Sequence, residues 1–310
     1  MAHIPVLYKE CIDGLRIKPD GIYLDMTLGG FGHGRGICEQ LSSEGIYIGL
    51  DKDDEALSRA KALTGGLNNK IILRQCDFSD FSNVLSELGI NNIDGCLMDL
   101  GVSSFQLDDA QRGFSFLHDG PLDMRMNRSA SFTCENVVNE YSEKKLAEII
   151  YKYSDEKFAR QIAKAIIKAR TVKPLKTTLE LSEIIKNAIP LKYRFQGKNP
   201  ATRTFQALRI EVNDELSKLF ETISSVIERL SPGGRIAVIS FHSLEDRIVK
   251  EVFREKAKGC ICPKDIPVCV CGVKPSIKIM TNSPITPKEG EISRNARSRS
   301  AKLRIAEKLA

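Results

Sequence analysis

Ile22-Tyr23-Leu24-Asp25-Met26-Thr27 runs directly into Leu28-Gly29-Gly30-Phe31-Gly32-His33-Gly34, and the fold class follows from how this stretch reads. A short apolar run without polar alternation is a strand buried on both faces, and the glycines behind it permit a sharp turn into a helix. The pattern recurs downstream. Ile46-Tyr47-Ile48-Gly49-Leu50-Asp51 precedes a helical pattern over Asp54–Leu63, and Ile71-Ile72-Leu73-Arg74-Gln75-Cys76 precedes one over Phe81–Leu88. Gly95-Cys96-Leu97-Met98-Asp99-Leu100 supplies a fourth strand. Near-continuous apolar strands joined by helices predict an α/β protein with a doubly wound parallel sheet.

The rhythm breaks after Gln106. From there to Pro200 the sequence offers a polar loop, Asp108–Met126, and helical patterns. One of these places Phe158, Ile162, Ala163, Ile166 and Ile167 on one face and Lys157, Arg160, Lys164 and Lys168 around the other. Thr202–Leu230 then reads as one long helix, Arg235–Ser240 as a fifth strand and Leu244–Lys256 as a helix. The expected organisation is a discontinuous sheet domain, residues 1–105 and 201–310, with a helical domain, 106–200, inserted between its fourth and fifth strands.

With 310 residues, 42% hydrophobic and 28% charged, the composition is that of an ordinary globular protein with ample core. No apolar run approaches the ~18 residues of a membrane span. Met1-Ala2-His3-Ile4-Pro5 has neither the basic region nor the apolar segment of a secretory leader. Nine cysteines, five of them scattered (Cys11, Cys38, Cys76, Cys96 and Cys134), read as reduced thiols in a cytoplasmic protein. Cys260-Ile261-Cys262 and Cys269-Val270-Cys271 could supply four thiolates, but their spacing is tighter than the usual zinc C-x₂₋₄-C. A zinc site and a loop of free thiols both stay open for them, and no metal is assigned. The net charge of +6 conceals three basic clusters. Lys157–Lys176 holds seven basic residues and no acid, Leu191–Arg203 four and no acid, and Glu291–Ala310 six against two acids. One such cluster is usually a solvated face; three together point to nucleic acid.

The strand ends carry the chemistry. Gly30, Gly32 and Gly34 give G-x-G-x-G, short of the dinucleotide pattern G-x-G-x-x-G. Asp51 ends strand two, about 20 residues after the glycines, where an acid accepts both hydroxyls of a ribose. Asp77 and Phe78 end strand three, where an acid and an aromatic can flank an adenine. Together these make an adenosine pocket, which leaves S-adenosylmethionine and NAD both open. Strand four then ends in Asp99. An amino group that accepts an alkyl group needs its N–H bonds held by oxygen acceptors so that its lone pair faces the electrophilic carbon, and Asp99 stands where that would happen.

The stretch Asp99-Leu100-Gly101-Val102-Ser103-Ser104-Phe105-Gln106-Leu107-Asp108 resembles the DLGVSSxQLD motif of the bacterial 16S ribosomal RNA (cytosine-N4)-methyltransferases. The resemblance runs nearly end to end. It includes His3-Ile4-Pro5-Val6-Leu7, Arg112-Gly113-Phe114-Ser115-Phe116 and Gly120-Pro121-Leu122-Asp123-Met124-Arg125-Met126. It continues through Thr202-Arg203-Thr204-Phe205-Gln206-Ala207-Leu208-Arg209-Ile210, Ser240-Phe241-His242-Ser243-Leu244-Glu245-Asp246-Arg247 and Arg297-Ser298-Arg299-Ser300-Ala301-Lys302-Leu303-Arg304. One departure is visible: Phe31 stands where the family usually has glycine.

The resemblance implies a Rossmann-like methyltransferase domain with an inserted helical domain that helps to recognise RNA. It implies methylation of a cytidine N4 in the decoding centre, with S-adenosylmethionine as cofactor and 16S ribosomal RNA or the small subunit as partner; a homodimer is left open. Cofactor contacts carried over by position fall on Phe31, Gly32, His33, Asp51, Phe78, Asp99 and Gln106, with Asp99 also catalytic. Asp123, Met124 and Arg125 are expected to bind a base. His242 is as much a structural turn as a substrate contact, with Ser243 and Asp246 resembling a capping box. DNA N-methyltransferases, which end strand four in D-P-P-Y or N-P-P-Y, are disfavoured by Asp99-Leu100-Gly101-Val102. A non-catalytic RNA-binding assembly factor that retains the pocket is the alternative from another class.

Overall fold

The computed structural model describes residues 5–194, 199–259, 271–272 and 274–310. Cys260, Cys262 and Cys269 lie outside these residues. The chain divides into two compact units, one comprising Met1–Gly101 with Leu216–Ala310 and the other Val102–Glu215.

The first unit is built on a seven-stranded sheet: β1 Ile22–Asp25, β2 Ile46–Asp51, β3 Lys70–Gln75, β4 Ile93–Asp99, β5 Leu230–Ser240, β6 Ile277–Ile279 and β7 Lys302–Lys308. The spatial order is β3-β2-β1-β4-β5-β7-β6. β1 to β5 are mutually parallel, while β7 runs antiparallel between β5 and β6. Alternation of side chains between two covered faces explains why the inner strands β1, β2 and β4 and the Ile236–Ile239 stretch of β5 are apolar almost throughout. Leu24, Ile48, Leu50, Cys96, Met98, Ile236 and Val238 join one core cluster, with Phe81, Ile223 and Phe253 from helices. Tyr23, Tyr47, Leu97, Ala237 and Ile239 join the other, with Ile12, Ile37 and Ala60 from helices. Both faces are therefore covered, as a parallel sheet requires.

The order reverses direction between β1 and β4, and such a switch point is where open α/β sheets bind ligands, beyond the carboxyl ends of the strands. Asp25 ends β1 and Asp99 ends β4.

The second unit is helical. Helices Cys134–Glu140, Glu143–Ser154, Ala159–Arg170, Thr178–Ala188 and Ala201–Asn213 pack around Val137, Ile149, Ile162, Ile166, Leu181 and Leu208. The single helix expected over Thr202–Leu230 is in fact two, Ala201–Asn213 and Leu219–Arg229. The first ends at Asp214, which takes φ +49° and returns its N–H to Ile210. Apolar periodicity continues through Leu216 and Leu219, and no glycine or proline marks the break, so the sequence hides it. The polar loop 108–126 is also more ordered than its composition suggests, because Phe114, Leu122 and Met124 are buried in this unit's core.

No helix among the described residues is long and apolar enough to cross a membrane.

Candidate active site

Three carboxylates line the ends of β1, β2 and β4, and their surroundings differ. Asp25 is buried and accepts hydrogen bonds from the Tyr47 hydroxyl at 2.7 Å and the Thr27 N–H at 3.1 Å. Burial pushes its carboxyl up to about 6, against the pull of those two donors. Asp51 accepts the Gly29 N–H at 2.9 Å through one oxygen and the Asp53 N–H at 2.9 Å through the other. Burial raises it as well, although the two N–H groups oppose the shift. A carboxylate offers about four lone-pair positions, so Asp51 keeps acceptor capacity for a pair of hydroxyls.

Asp99 is the least satisfied of the three. Its backbone N–H donates to Thr27 Oγ1 at 2.5 Å, which ties the end of β4 to the turn after β1. Its Oδ2 lies 3.6 Å from His33 Nδ1. Its Oδ1 is buried and finds no hydrogen-bond partner among the described residues. Burial, followed by the charges of Asp25 and Glu245, pushes this carboxyl up to about 8. A buried acceptor without a donor costs about 1–3 kcal/mol, and more when it is charged, which makes it a position built for an incoming N–H or cation.

The glycine-rich turn behaves differently from its sequence reading. A side chain on Gly32 would collide with Pro5, and one on Gly34 with the Tyr47 hydroxyl. These glycines admit the protein's own side chains. Phe31 occupies the left-handed region at φ +61°, where glycine is the undemanding choice. Its side chain is 1% exposed and packs edge-on against Tyr47, with ring centroids 5.7 Å apart. Left-handed backbone costs a non-glycine residue roughly 1–2 kcal/mol, whereas burying a phenylalanine contributes roughly 1.5–3 kcal/mol. Packing thus offsets the strain and explains how phenylalanine stands here. Phe31 would meet a ligand through its backbone, since its ring belongs to the core.

His33 is buried, donates Nε2–H to the Val6 carbonyl at 2.9 Å and stacks on Tyr8. Phe78 is partly exposed, with the Lys52 ammonium 5.4 Å from its ring centroid. Lys52 also pairs with Asp77 at 2.6 Å. Burial acts against the charge of Asp77, but Lys52 and the Ser79 N–H outweigh it and hold the carboxyl below its ordinary value. Gly32, His33, Asp51, Phe78 and Asp99 thus all stand in the sheet unit, at the carboxyl ends of its strands or just beyond them, with Gly32 and His33 opening the helix Gly32–Cys38. Gln106 belongs to the helical unit. There it closes a capping box with Ser103: the Ser103 N–H donates to Gln106 Oε1 at 3.1 Å, and the Gln106 N–H to Ser103 Oγ at 3.2 Å.

Other sequence readings shift. The capping box expected of Ser243 and Asp246 is made one residue earlier, by His242 and Glu245. Asp246 instead receives Arg304 at 2.7 Å and Lys302 at 3.1 Å, so two cations of the C-terminal basic cluster are spent inside the fold. Asp123, Met124 and Arg125 are engaged with their own loop: Arg125 forks onto Asp123 at 2.8 and 2.6 Å, and Met124 is buried at φ +60°. Thr27 and Tyr47 were missed by the sequence reading. Nothing in the spacing links Thr27 to Asp99, 72 positions away, but a tyrosine in a doubly buried strand is a signal, because its hydroxyl needs a partner.

Residues 1–309 match the sequence profile of the MraW methylase family. The chain belongs to that family. Among its curated relatives, a protein of Finegoldia magna named ribosomal RNA small subunit methyltransferase H is 50% identical over 308 residues, covering 99% of this chain and 98% of the relative. A protein of the same name from Carboxydothermus hydrogenoformans is 51% identical over 308 residues, with the same coverage. A third, from Clostridium botulinum, is 51% identical over 307 residues and covers 99% of both chains. Membership makes the protein a methyltransferase whose methyl donor is S-adenosylmethionine. The donor set fits that molecule: Asp51 has acceptor capacity for a ribose diol, and Phe78 is a partly exposed aromatic just beyond the end of β3.

Proposed function

We propose that this protein methylates the exocyclic N4 of a cytidine in the decoding centre of 16S ribosomal RNA, acting in the cytoplasm on the RNA or the small subunit. The observation that carries the reading is the unpartnered, buried Oδ1 of Asp99 at the sheet's switch point. The relatives' shared name supports a small-subunit RNA substrate, and the Asp99–Asp108 motif supports the N4 position.

The cofactor, when bound, supplies an electrophilic methyl group on a sulfonium. The chain's residues do the rest. Asp51 holds the ribose, and Gly32 and His33 shape the turn beside it. The cytidine N4 lone pair is delocalised into the ring, so alignment matters more than charge stabilisation. Asp99 accepts an N4–H bond, which aims the lone pair, and it receives the proton that N4 loses. The cationic cofactor favours the ionised carboxylate and opposes the upward shift that burial imposes. In the helical unit, Lys157, Arg160, Lys164 and Lys168 are exposed and have no acidic partner among the described residues, which suits phosphate contacts. Arg170, by contrast, donates to the Val138 carbonyl at 2.8 Å, and Lys173 pairs with Glu180 at 2.8 Å. A non-catalytic assembly factor is free to lose its pocket acids, yet Asp25, Asp51, Asp77 and Asp99 all stand.

The deciding experiment is mass mapping of 16S ribosomal RNA from cells with and without this protein, together with methyl transfer to purified small subunits. A decoding-centre cytidine that loses one methyl group in the deletion supports the reading. An RNA map that does not change, with no transfer in vitro, defeats it.

A further inference from the structure

His33 is placed with more care than a backbone contact to a cofactor requires. The Val6 carbonyl can only accept, so the 2.9 Å contact fixes the proton of the neutral ring on Nε2 and turns Nδ1 toward Asp99. Pro5 packs against Gly32, Tyr8 stacks on the ring, and the Leu7 N–H donates to Glu291 Oε1 at 2.8 Å, so the strap that carries Val6 is itself anchored. The Nδ1–Oδ2 distance of 3.6 Å exceeds that of a formed hydrogen bond, as is usual for such pairs before the reactants are in place.

We propose that His33 is a positioning residue for Asp99: anchored through Nε2–H on Val6, its ring shares one mobile proton with Asp99 Oδ2 and thereby leaves Oδ1 free to take the proton released by N4. The inference rests on the cytidine-N4 reading above. In the transfer, the N4 lone pair forms the new N–C bond while the C–S bond breaks with its electron pair left on sulfur, and N4 carries a surplus proton. When the mobile proton sits on Nδ1, Asp99 is an anion and Oδ1 takes that surplus proton, which later passes to solvent. When it sits on Oδ2, Asp99 is neutral and Oδ1 can accept a hydrogen bond but not the proton. The ring therefore keeps Asp99 chargeable in surroundings that oppose it. Those surroundings are Asp25 at the end of β1, Glu245 on the helix Ser243–Ala257 and the buried Cys11 thiol on the helix Tyr8–Leu15.

His33→Gln separates this role from packing, because the Gln amide can still donate to Val6 but cannot carry the mobile proton. With saturating cofactor, the single-turnover rate of the variant should reach half its maximum about one pH unit higher than the wild type's. The loss should be about 10-fold near pH 7 and largely recovered near pH 9, both read at saturating cofactor. An equal loss at every pH, or an unmoved midpoint, overturns the proposal. A second test needs no turnover. The chain has four histidines, so nitrogen-15 spectra of the ligand-free protein can resolve the His33 ring. The neutral ring should carry its proton on Nε2, and its titration should move when Asp99→Asn is introduced. A proton on Nδ1, or a titration indifferent to Asp99→Asn, rejects the pairing. If the wild type methylates no cytidine N4, the functional reading fails while these spectra still decide the pairing.

Discussion

The carboxyl edge of the sheet and the basic helix Ala159–Arg170 handle charge in opposite ways. At the edge, Asp25 is buried and Asp51 and Asp99 are half-buried, and burial raises each above its ordinary value. On the helix, Ile162, Ala163 and Ile166 face the core while Arg160, Lys164 and Lys168 stay exposed. Buried charges interact strongly, so one atom such as Asp99 Oδ1 can decide an outcome. Exposed charges are screened within roughly 8–10 Å at ordinary salt, so their effect depends on number and arrangement. The first region should therefore answer to pH and to single substitutions, and the second to ionic strength.

The sharpest test of that contrast is Asp99→Asn, which keeps the shape but removes the charge and the capacity to take a proton. Single-turnover methyl transfer at saturating cofactor should fall by roughly 10²-fold or more. A rate near that of the wild type would leave Asp99 a cofactor contact only. Next in size is Asp51→Ala, which removes acceptors for the ribose; S-adenosylmethionine and its demethylated product should both bind roughly 10- to 150-fold more weakly by calorimetry. On the basic side, Lys164→Glu with Lys168→Glu should weaken RNA or subunit binding by about 10-fold and flatten its salt dependence, each phosphate contact on a single strand being worth about 0.7 in the logarithmic slope. Cofactor affinity should not change. An unaltered salt slope would make those lysines a solvated face and erase the comparison.

The same burial also bears on stability. Asp25 and Asp99 titrate at about 6 and about 8 in the folded protein. In the unfolded chain an aspartate titrates near ~3.9. Between these values the folded state holds more protons than the unfolded one, so stability falls as pH rises through the window. The melting temperature of the ligand-free protein should decline from about pH 5 to pH 8, and Asp99→Asn should flatten the upper part of that decline.

What the sequence made legible is mainly what a doubly buried strand imposes. β1, β2, β3 and β4 read as apolar runs, and their terminal acids Asp25, Asp51 and Asp99 fall where a switch-point site needs them. What it concealed depends on contacts between distant segments. β7, with Lys302, Arg304, Glu307 and Lys308, looks like a charged tail, because Arg304 and Lys302 find Asp246 only in the fold. Glycines 32 and 34 look like room for a ligand until Pro5 and Tyr47 are seen to fill it. The imidazole of His33 could be placed in a motif, but its tautomer is set by a backbone carbonyl 27 residues earlier, which no pattern of side chains encodes.

The antiparallel placement of β7 also governs when the sheet can be finished during synthesis. Among the described residues β6 pairs only with β7, and β5 has β7 as its outer neighbour, so both wait for residues 302–308 to emerge. The helical unit is continuous in sequence, from Val102 to Glu215, and can close around its core while the sheet unit is still missing β5, β6 and β7. Chains grow at about 5–20 residues per second, so the β5 position stays vacant for several seconds beside β4, and its successor β7 arrives later still. During that interval β4 presents an unpaired edge of buried-type residues, Cys96, Leu97 and Met98, to solvent.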